Sequence, residues 1–200
     1  MPGRSLPPLA HEVLGTVYLL LPLLGGALVH GLCMRNGWLG FLARPMDGDR
    51  RFRGQPLFGH SKTFRGPVTV ALGAGAVWAL QQQVLHRTGA FAALELVDFA
   101  SLPGFWFGAA AGAAGELAEL PNSFVKRRLG VKPGGTVRGP LGVLFYLWDQ
   151  LDVLTGFGCV VAAAVPATPL RVATAVLVVG AIHPLLTLAG YLLGMRPTAR

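Results

Sequence analysis

The chain has 200 residues, 52% of them hydrophobic and only 13% charged, with a mean hydropathy of +0.54. A soluble domain carries roughly 25% charged residues, so this chain cannot clothe itself in polar surface, and membrane residence follows. Its net charge of +8 then speaks for basic loops facing anionic lipid or phosphorylated ligands, and against nucleic acid as a partner.

The N-terminal "MPGRSLPPLAHEVLG" has one arginine, tandem prolines and no short apolar region followed by a small-residue cleavage site. The first apolar run is therefore expected to stay as a span and not to be removed as a signal peptide. Apolar stretches of about 20 residues predict five spans, near 13–34, 67–86, 102–119, 141–165 and 171–194. All are rich in Gly and Ala, which lets helices approach closely in lipid. With no internal repeat and no low-complexity linker, the expected fold is an all-α, polytopic membrane helical bundle forming one domain over residues 1–200. Cys33 and Cys159 fall inside apolar runs without metal-ligand spacing and are read as inert thiols. His30, His86 and His183 lie in or near spans and are read as packing or interface residues. Oligomeric state is not written in the sequence.

Cations divide unevenly between the two sides. Residues 35–66 hold Arg35, Arg44, Arg50, Arg51, Arg53, Lys62 and Arg65, and residues 120–140 hold Lys126, Arg127, Arg128, Lys132 and Arg138. With Arg196 and Arg200 these make 14 of the 17, leaving Arg4, Arg87 and Arg171 for the other side. The positive-inside rule places both long loops and the C-terminus in the cytoplasm and the N-terminus outside, as an odd number of spans requires.

Three polar clusters sit at that cytoplasmic face. In "LFGHSKTFRG" (57–66), Gly59, Ser61, Lys62, Thr63, Arg65 and Gly66 offer flexible backbone, hydroxyls and two cations, the groups that wrap phosphate oxygens. Gly54 and Gly59 have Walker A separation, but Lys62 comes two residues late and no apolar strand precedes it, which excludes a P-loop. In "ELAELPNSFVKRRLG" (116–130), Glu116 and Glu119 share a helix face, Pro121 is expected to end the helix, and Asn122, Ser123, Lys126, Arg127 and Arg128 follow, with "KPGG" after them. In "YLWDQLD" (146–152), Asp149 and Asp152 stand one turn apart inside an apolar helix. Carboxylates at that depth cost about 2.5–3.5 kcal/mol each and are tolerated facing a wet cavity, a partner or a metal. Paired carboxylates are a natural Mg²⁺ anchor, with water and substrate phosphates completing the shell. Acids that hold a metal beside cations that hold phosphates are equipment for phosphoryl or nucleotidyl transfer.

"KTFRG", "SFVKRRLGVKPG" and "DQLD", each joined to a span and in this order over about 55–160, resemble the CDP-archaeol synthases. These sit within the wider CTP:phosphatidate cytidylyltransferases. Ser123, Lys126 and Arg127 match the first part of the wider family's signature and Asp149 and Asp152 the last. Where that family has Gly-Asp-Leu, this chain has Ala118-Glu119-Leu120, so Glu119 stands for the family's aspartate with an extra methylene and Glu116 is additional. The resemblance implies a cell-membrane enzyme with a cytoplasm-facing site that uses CTP, Mg²⁺ and a lipid phosphate, releasing pyrophosphate and a CDP-lipid. Asp149, Asp152 and Glu119 are then the expected metal ligands. Lys62, Arg65, Lys126, Arg127 and Arg128 are the expected phosphate cations, with Thr63, Asn122 and Ser123 as further contacts. The competing readings are a CDP-alcohol phosphotransferase, whose D-G-x₂-A-R pattern is missing, and a non-enzymatic lipid-phosphate carrier. The acceptor's tails, ether isoprenoid or acyl, are not encoded in any motif.

Overall fold

Among the described residues, five long helices occupy the five apolar stretches: α1 (Pro8–Arg35), α2 (Arg65–Thr88), α3 (Gly104–Arg128), α4 (Pro140–Val161) and α5 (Pro169–Leu192). The computed structural model describes residues 6–192 apart from Gly134, Thr136 and Arg138, and leaves out a few helix side chains, His86 and His183 among them. Arg4, Arg138, Arg196 and Arg200, counted above for sidedness, thus lie outside the described residues. By length and composition alone, α1 and α4 are apolar enough to cross a membrane, and α5 has an apolar stretch, Pro169–Ile182. The other two are more polar because α2 carries Gln81–Gln83 and α3 carries the acids and cations of the second cluster.

One expectation fails. Pro121 does not end α3; the helix continues through it for seven more residues, to Arg128. A proline inside a helix removes one N–H and frees the carbonyl four residues back, but membrane helices tolerate this where neighbouring groups compensate. The stop lies at Gly130, with φ +72°, a left-handed position that suits glycine. There Gly130 N–H donates to the Arg127 carbonyl (3.1 Å) and Val131 N–H to that of Lys126 (3.0 Å), a Schellman closure. Three cations in the last turn, Lys126 to Arg128, also suit the negative end of the helix dipole.

Helix α3 lies between α2 and α4, and α1 flanks α2, while α5 rests more lightly on α1 and α4. Small residues set these distances. A Cβ on Gly73 of α2 would stand 2.8 Å from the Gly26 Cα of α1, and one on Gly156 of α4 would strike the Ala114 carbonyl of α3. Away from the site, Trp78 is fully buried, its ring centroid 5.0 Å from that of Phe99 and 4.8 Å from that of Phe107. Two amides tie the same region, the buried Gln81 donating to the Tyr18 carbonyl and the half-buried Gln82 to the Phe99 carbonyl, both at 2.7 Å. Arg171 at the start of α5 pairs with Glu12 of α1 at 2.9 Å, and Thr168 donates to the same carboxylate at 2.8 Å.

The α1–α2 connection is the long one. It holds a short 3-10 turn (Gly40–Leu42) and a two-stranded hairpin, β1 (Arg51–Phe52) with β2 (Gln55–Pro56). Arg53 and Gly54 both have positive φ, the two-residue turn that matches strand twist.

Close α3–α4 contact gives a test. Gly156→Val should cost about 1–3 kcal/mol through overpacking, while Gly158→Val, with nothing near its Cβ, should melt like the parent. Thermal unfolding of both variants in detergent checks this.

Candidate active site

Because α3 runs on past Pro121, Glu119, Asn122 and Lys126 fall at i, i+3 and i+7 on one helical stripe. That stripe meets the Asp149 and Asp152 face of α4. Asn122 is only 2% exposed, and its Nδ2 donates to Asp149 Oδ1 (2.6 Å) and Asp152 Oδ2 (3.1 Å). Lys126 Nζ donates to both Asp149 oxygens, at 2.6 Å to Oδ2, and lies 5.8 Å from the Phe145 ring centroid. Asp152, at 5% exposure, also accepts from the Val153 N–H at 2.8 Å. Asp149 is half-exposed, so this cluster is open on one side.

The three consecutive cations part company. Arg127 is 5% exposed, and its Nε and Nη1 have no partner among the described residues. Buried donors are normally satisfied, so these two stand out beside the paired Lys126. Arg128 turns the other way and donates to the backbone carbonyls of Phe52 (2.8 Å), Gln55 (3.2 Å) and Pro56, its guanidinium 4.7 Å from the Phe124 ring centroid. It holds the hairpin onto α3.

The first cluster is brought to the same α3 stripe. Lys62 Nζ is paired with Glu119. Glu116 lies against the start of α2, where a Cβ on Gly66 would meet its Oε2 at 2.8 Å, and the His30 imidazole is next to it. His30 Nδ1 is 2.7 Å from Thr69 Oγ1. Arg65 turns away, reaching Met34 Sδ of α1 at 2.6 Å. Thr63 and Ser123 are half-buried, with no side-chain hydrogen bond among the described residues. Gly59 has φ +95° and packs so tightly against Pro133 that a Cβ would approach it to 2.7 Å, with the Arg127 stem 3.8 Å away. Gly59 and Pro133 therefore meet above Arg127.

Asp47 is a residue that the motif reading missed. Its carboxylate accepts the N–H groups of Gly59 (2.9 Å), Phe58 (3.0 Å) and Asp49 (3.1 Å). Burial alone would raise its pKa, yet these bonds outweigh burial and hold the carboxyl below the usual carboxylate range. Its signal in the sequence was "DGD" at 47–49, a turn motif. Asp47 fixes the loop that carries Lys62.

No group of three His, Cys, Asp or Glu side chains converges on one point among the described residues. The three expected metal ligands are therefore not assembled together: Asp149 and Asp152 share the Asn122 amide, while Glu119 is committed to Lys62. Asp149 and Asp152 bring two carboxylates to one place, the kind of donor set that a divalent cation of the Mg²⁺ type takes before completing its shell with water and phosphate oxygens, although Lys126 holds both Asp149 oxygens here.

The fold is that of a helical bundle with apolar, membrane-spanning stretches, and it gathers carboxylates and cations at one end. A solved structure described as an intramembrane enzyme for archaeal membrane lipid biosynthesis shares the fold, with a TM-score of 0.55, 24% identity, and coverage of 84% of this chain and 89% of that one. The sequence model of the CarS-like CDP-archaeol synthases matches residues 10–199. CDP-archaeol synthases from two strains of Halobacterium salinarum are each 34% identical over 160 residues, 76% of this chain and 81% of those proteins. The chain belongs to the CDP-archaeol synthase family. It is thus a membrane enzyme that transfers a cytidylyl group from CTP to a lipid phosphate, and the carrier reading gives way to the enzyme reading.

Asp47 supplies a pH test. A carboxyl whose folded pKa is depressed stabilises fully above its unfolded value, here 3.8, and loses that contribution as pH falls through the folded pKa. Acid unfolding of the wild type should therefore show this loss below pH 3.8, and Asp47→Asn should show less of it. At neutral pH the variant should lose about 1–3 kcal/mol locally, read as faster tryptic cleavage at Arg50–Lys62.

Proposed function

We propose that the α3–α4 groove beneath the α1–α2 connection is where cytidylyl transfer takes place, in one integral-membrane domain over residues 1–200 of the cell membrane. Its groove faces the cytoplasm. Support for the sidedness comes from the described loop cations, which gather at the end of the bundle where α1 and α3 stop and α2 and α4 begin. Five crossings with the N-terminus outside follow from that assignment.

The observation that carries the site is the convergence of Asp149 and Asp152 on one Asn122 amide, beside Lys126 and the unpartnered Arg127 guanidinium. Asp149 and Asp152 would hold Mg²⁺, which when bound clamps phosphate oxygens and offsets charge on the leaving group. Arg127 and Lys126 neutralise the triphosphate from α3, and Lys62 does so from the loop above. Glu119 serves as the counter-ion that keeps Lys62 over the groove. Thr63 and Ser123 offer hydroxyls to the same phosphates. Asn122 cannot also serve phosphate, since its N–H₂ is spent on the two aspartates; its Oδ1, buried without a partner, suits a donor such as the cytosine amino group or a ribose hydroxyl. Arg65 and Arg128 act at a distance, the first on the α1–α2 junction and the second on the hairpin.

In the reaction an oxygen of the lipid phosphate attacks the α-phosphorus of CTP in line. A new P–O bond forms, the bond from the α-phosphorus to the bridging oxygen breaks, and pyrophosphate leaves with that electron pair. Catalysis is positioning and charge neutralisation, so no protein nucleophile is needed. The acceptor is an ether-linked isoprenoid lipid phosphate, a reading supported by the identity with the two archaeal CDP-archaeol synthases.

The assay is CDP-lipid formation by purified protein from CTP, Mg²⁺ and archaetidic acid, with phosphatidate as the competing acceptor. Chelating the metal should abolish product. Asp149→Asn and Asp152→Asn should each lower turnover about 100-fold or more, and unchanged turnover in both would remove the metal site from the groove. Arg127→Ala should lower kcat/KM for CTP about 30-fold, with Arg127→Lys recovering part of it. Preference for phosphatidate would overturn the acceptor assignment.

A further inference from the structure

At the site end of the bundle, the α1–α2 connection carries a surface that cytidylyl transfer does not use. After α1 stops at Arg35, the chain turns back so that the Trp38 N–H donates to the Cys33 carbonyl at 3.0 Å, then passes through the 3-10 turn to Arg44. The Arg44 carbonyl accepts from the Phe64 N–H at 3.2 Å, Pro45 bridges Thr63, and Arg65 reaches back to Met34. These ties seat residues 34–44 and Phe64 against the junction where α1 ends and α2 begins.

The side chains on this ledge suit neither water nor a protein core. Trp38 is 57% exposed, Phe41 69% and Phe64 48%. Interleaved with them, Arg35 and Arg44 are exposed, as are Arg50, Arg51 and Arg53 on the neighbouring hairpin, and none of the five forms an ion pair among the described residues. Aromatic rings and guanidinium groups are satisfied together in the headgroup layer of a bilayer, where the rings meet the upper acyl chains and the cations meet lipid phosphates. A chain that spans the membrane presents its helix ends to that layer.

We propose that residues 34–44 with Phe64 form an interfacial ledge that docks on the anionic headgroups of the enzyme's own membrane and concentrates acidic lipid at the mouth of the groove. Delivery of acceptor rests on the cytidylyltransferase reading; docking does not.

Depth-resolved fluorescence tests the docking. The full chain is placed in vesicles of phosphatidylcholine with phosphatidylglycerol, and the Trp38 signal is taken as the difference between wild type and Trp38→Phe. Nitroxide labels near the headgroup should quench it strongly, and labels at the acyl terminus or aqueous iodide only weakly. Quenching chiefly by iodide, or chiefly by the deep label, would overturn the ledge. Kinetics tests delivery. Arg35→Gln/Arg44→Gln should raise KM about tenfold for a lipid phosphate presented in a bilayer, and leave KM unaltered for a short-chain, water-soluble one. An unchanged KM in the bilayer, or equal rises for both acceptors, would overturn delivery. Failure of the cytidylyltransferase reading itself would appear as no CDP-lipid from any acceptor, with the quenching pattern unaffected.

Discussion

The Asn122 amide between Asp149 and Asp152 is the contact on which the site depends. Two carboxylates inside an apolar helix repel one another and pay for lost hydration. A donor that reaches both, with Lys126 on the outer one, turns that liability into a fixed pair of acids. The reach is short, so α3 and α4 must nearly touch, and Gly115 and Gly156 let them: a Cβ on Gly115 would lie 3.1 Å from the Val153 carbonyl. Helix packing and chemistry are therefore one constraint. In lipid, where apolar surfaces gain little by meeting each other, small residues and interhelical hydrogen bonds carry such a contact.

Around that pair, the run Lys126-Arg127-Arg128 shows how helical register divides labour. Successive residues on a helix point about 100° apart. Lys126 faces α4, Arg127 runs under Gly59 and Pro133, and Arg128 faces the hairpin. Three adjacent identical charges thus become an acid's partner, a buried unpaired donor and a structural clamp. The loop above is held just as specifically. Asp47 gathers the backbone N–H groups of residues 58 and 59, and Arg128 gathers the carbonyls of the hairpin, so Lys62 is delivered to Glu119 by backbone fixed at both ends.

Much of the fold was legible because a bilayer allows few alternatives. Apolar stretches long enough to span had to be helices, and all five appear within a few residues of their expected limits except at the end of α3, the expected end of the fifth at 194 lying outside the described residues. That miss has a local cause. Pro121 was read by the rule for soluble helices, while the true stop, glycine just past a cationic last turn, was already present in "KRRLG". The consequence for the site was large, since only an unbroken helix puts Asn122 and Lys126 in register with Glu119. Asp47 was hidden for a different reason. Its role is to hold a loop closed through backbone N–H groups 11 and 12 residues away, and backbone partners leave no trace in side-chain motifs.

The sequence by itself determined the membrane setting, the helical class, the charge asymmetry and the inventory of acids and cations, because these follow from composition, length and short spacings. Which of those charges work together was decided only by the tertiary structure. Asp149 and Asp152 belong with Asn122, Glu119 belongs with Lys62, Arg128 belongs to the hairpin, and Arg127 keeps two buried donors without a partner among the described residues. The physical reason is reach. A salt bridge or hydrogen bond acts over about 3 Å, and partners 23 to 76 residues apart in the chain come within that distance only when glycine-lined helices have already packed.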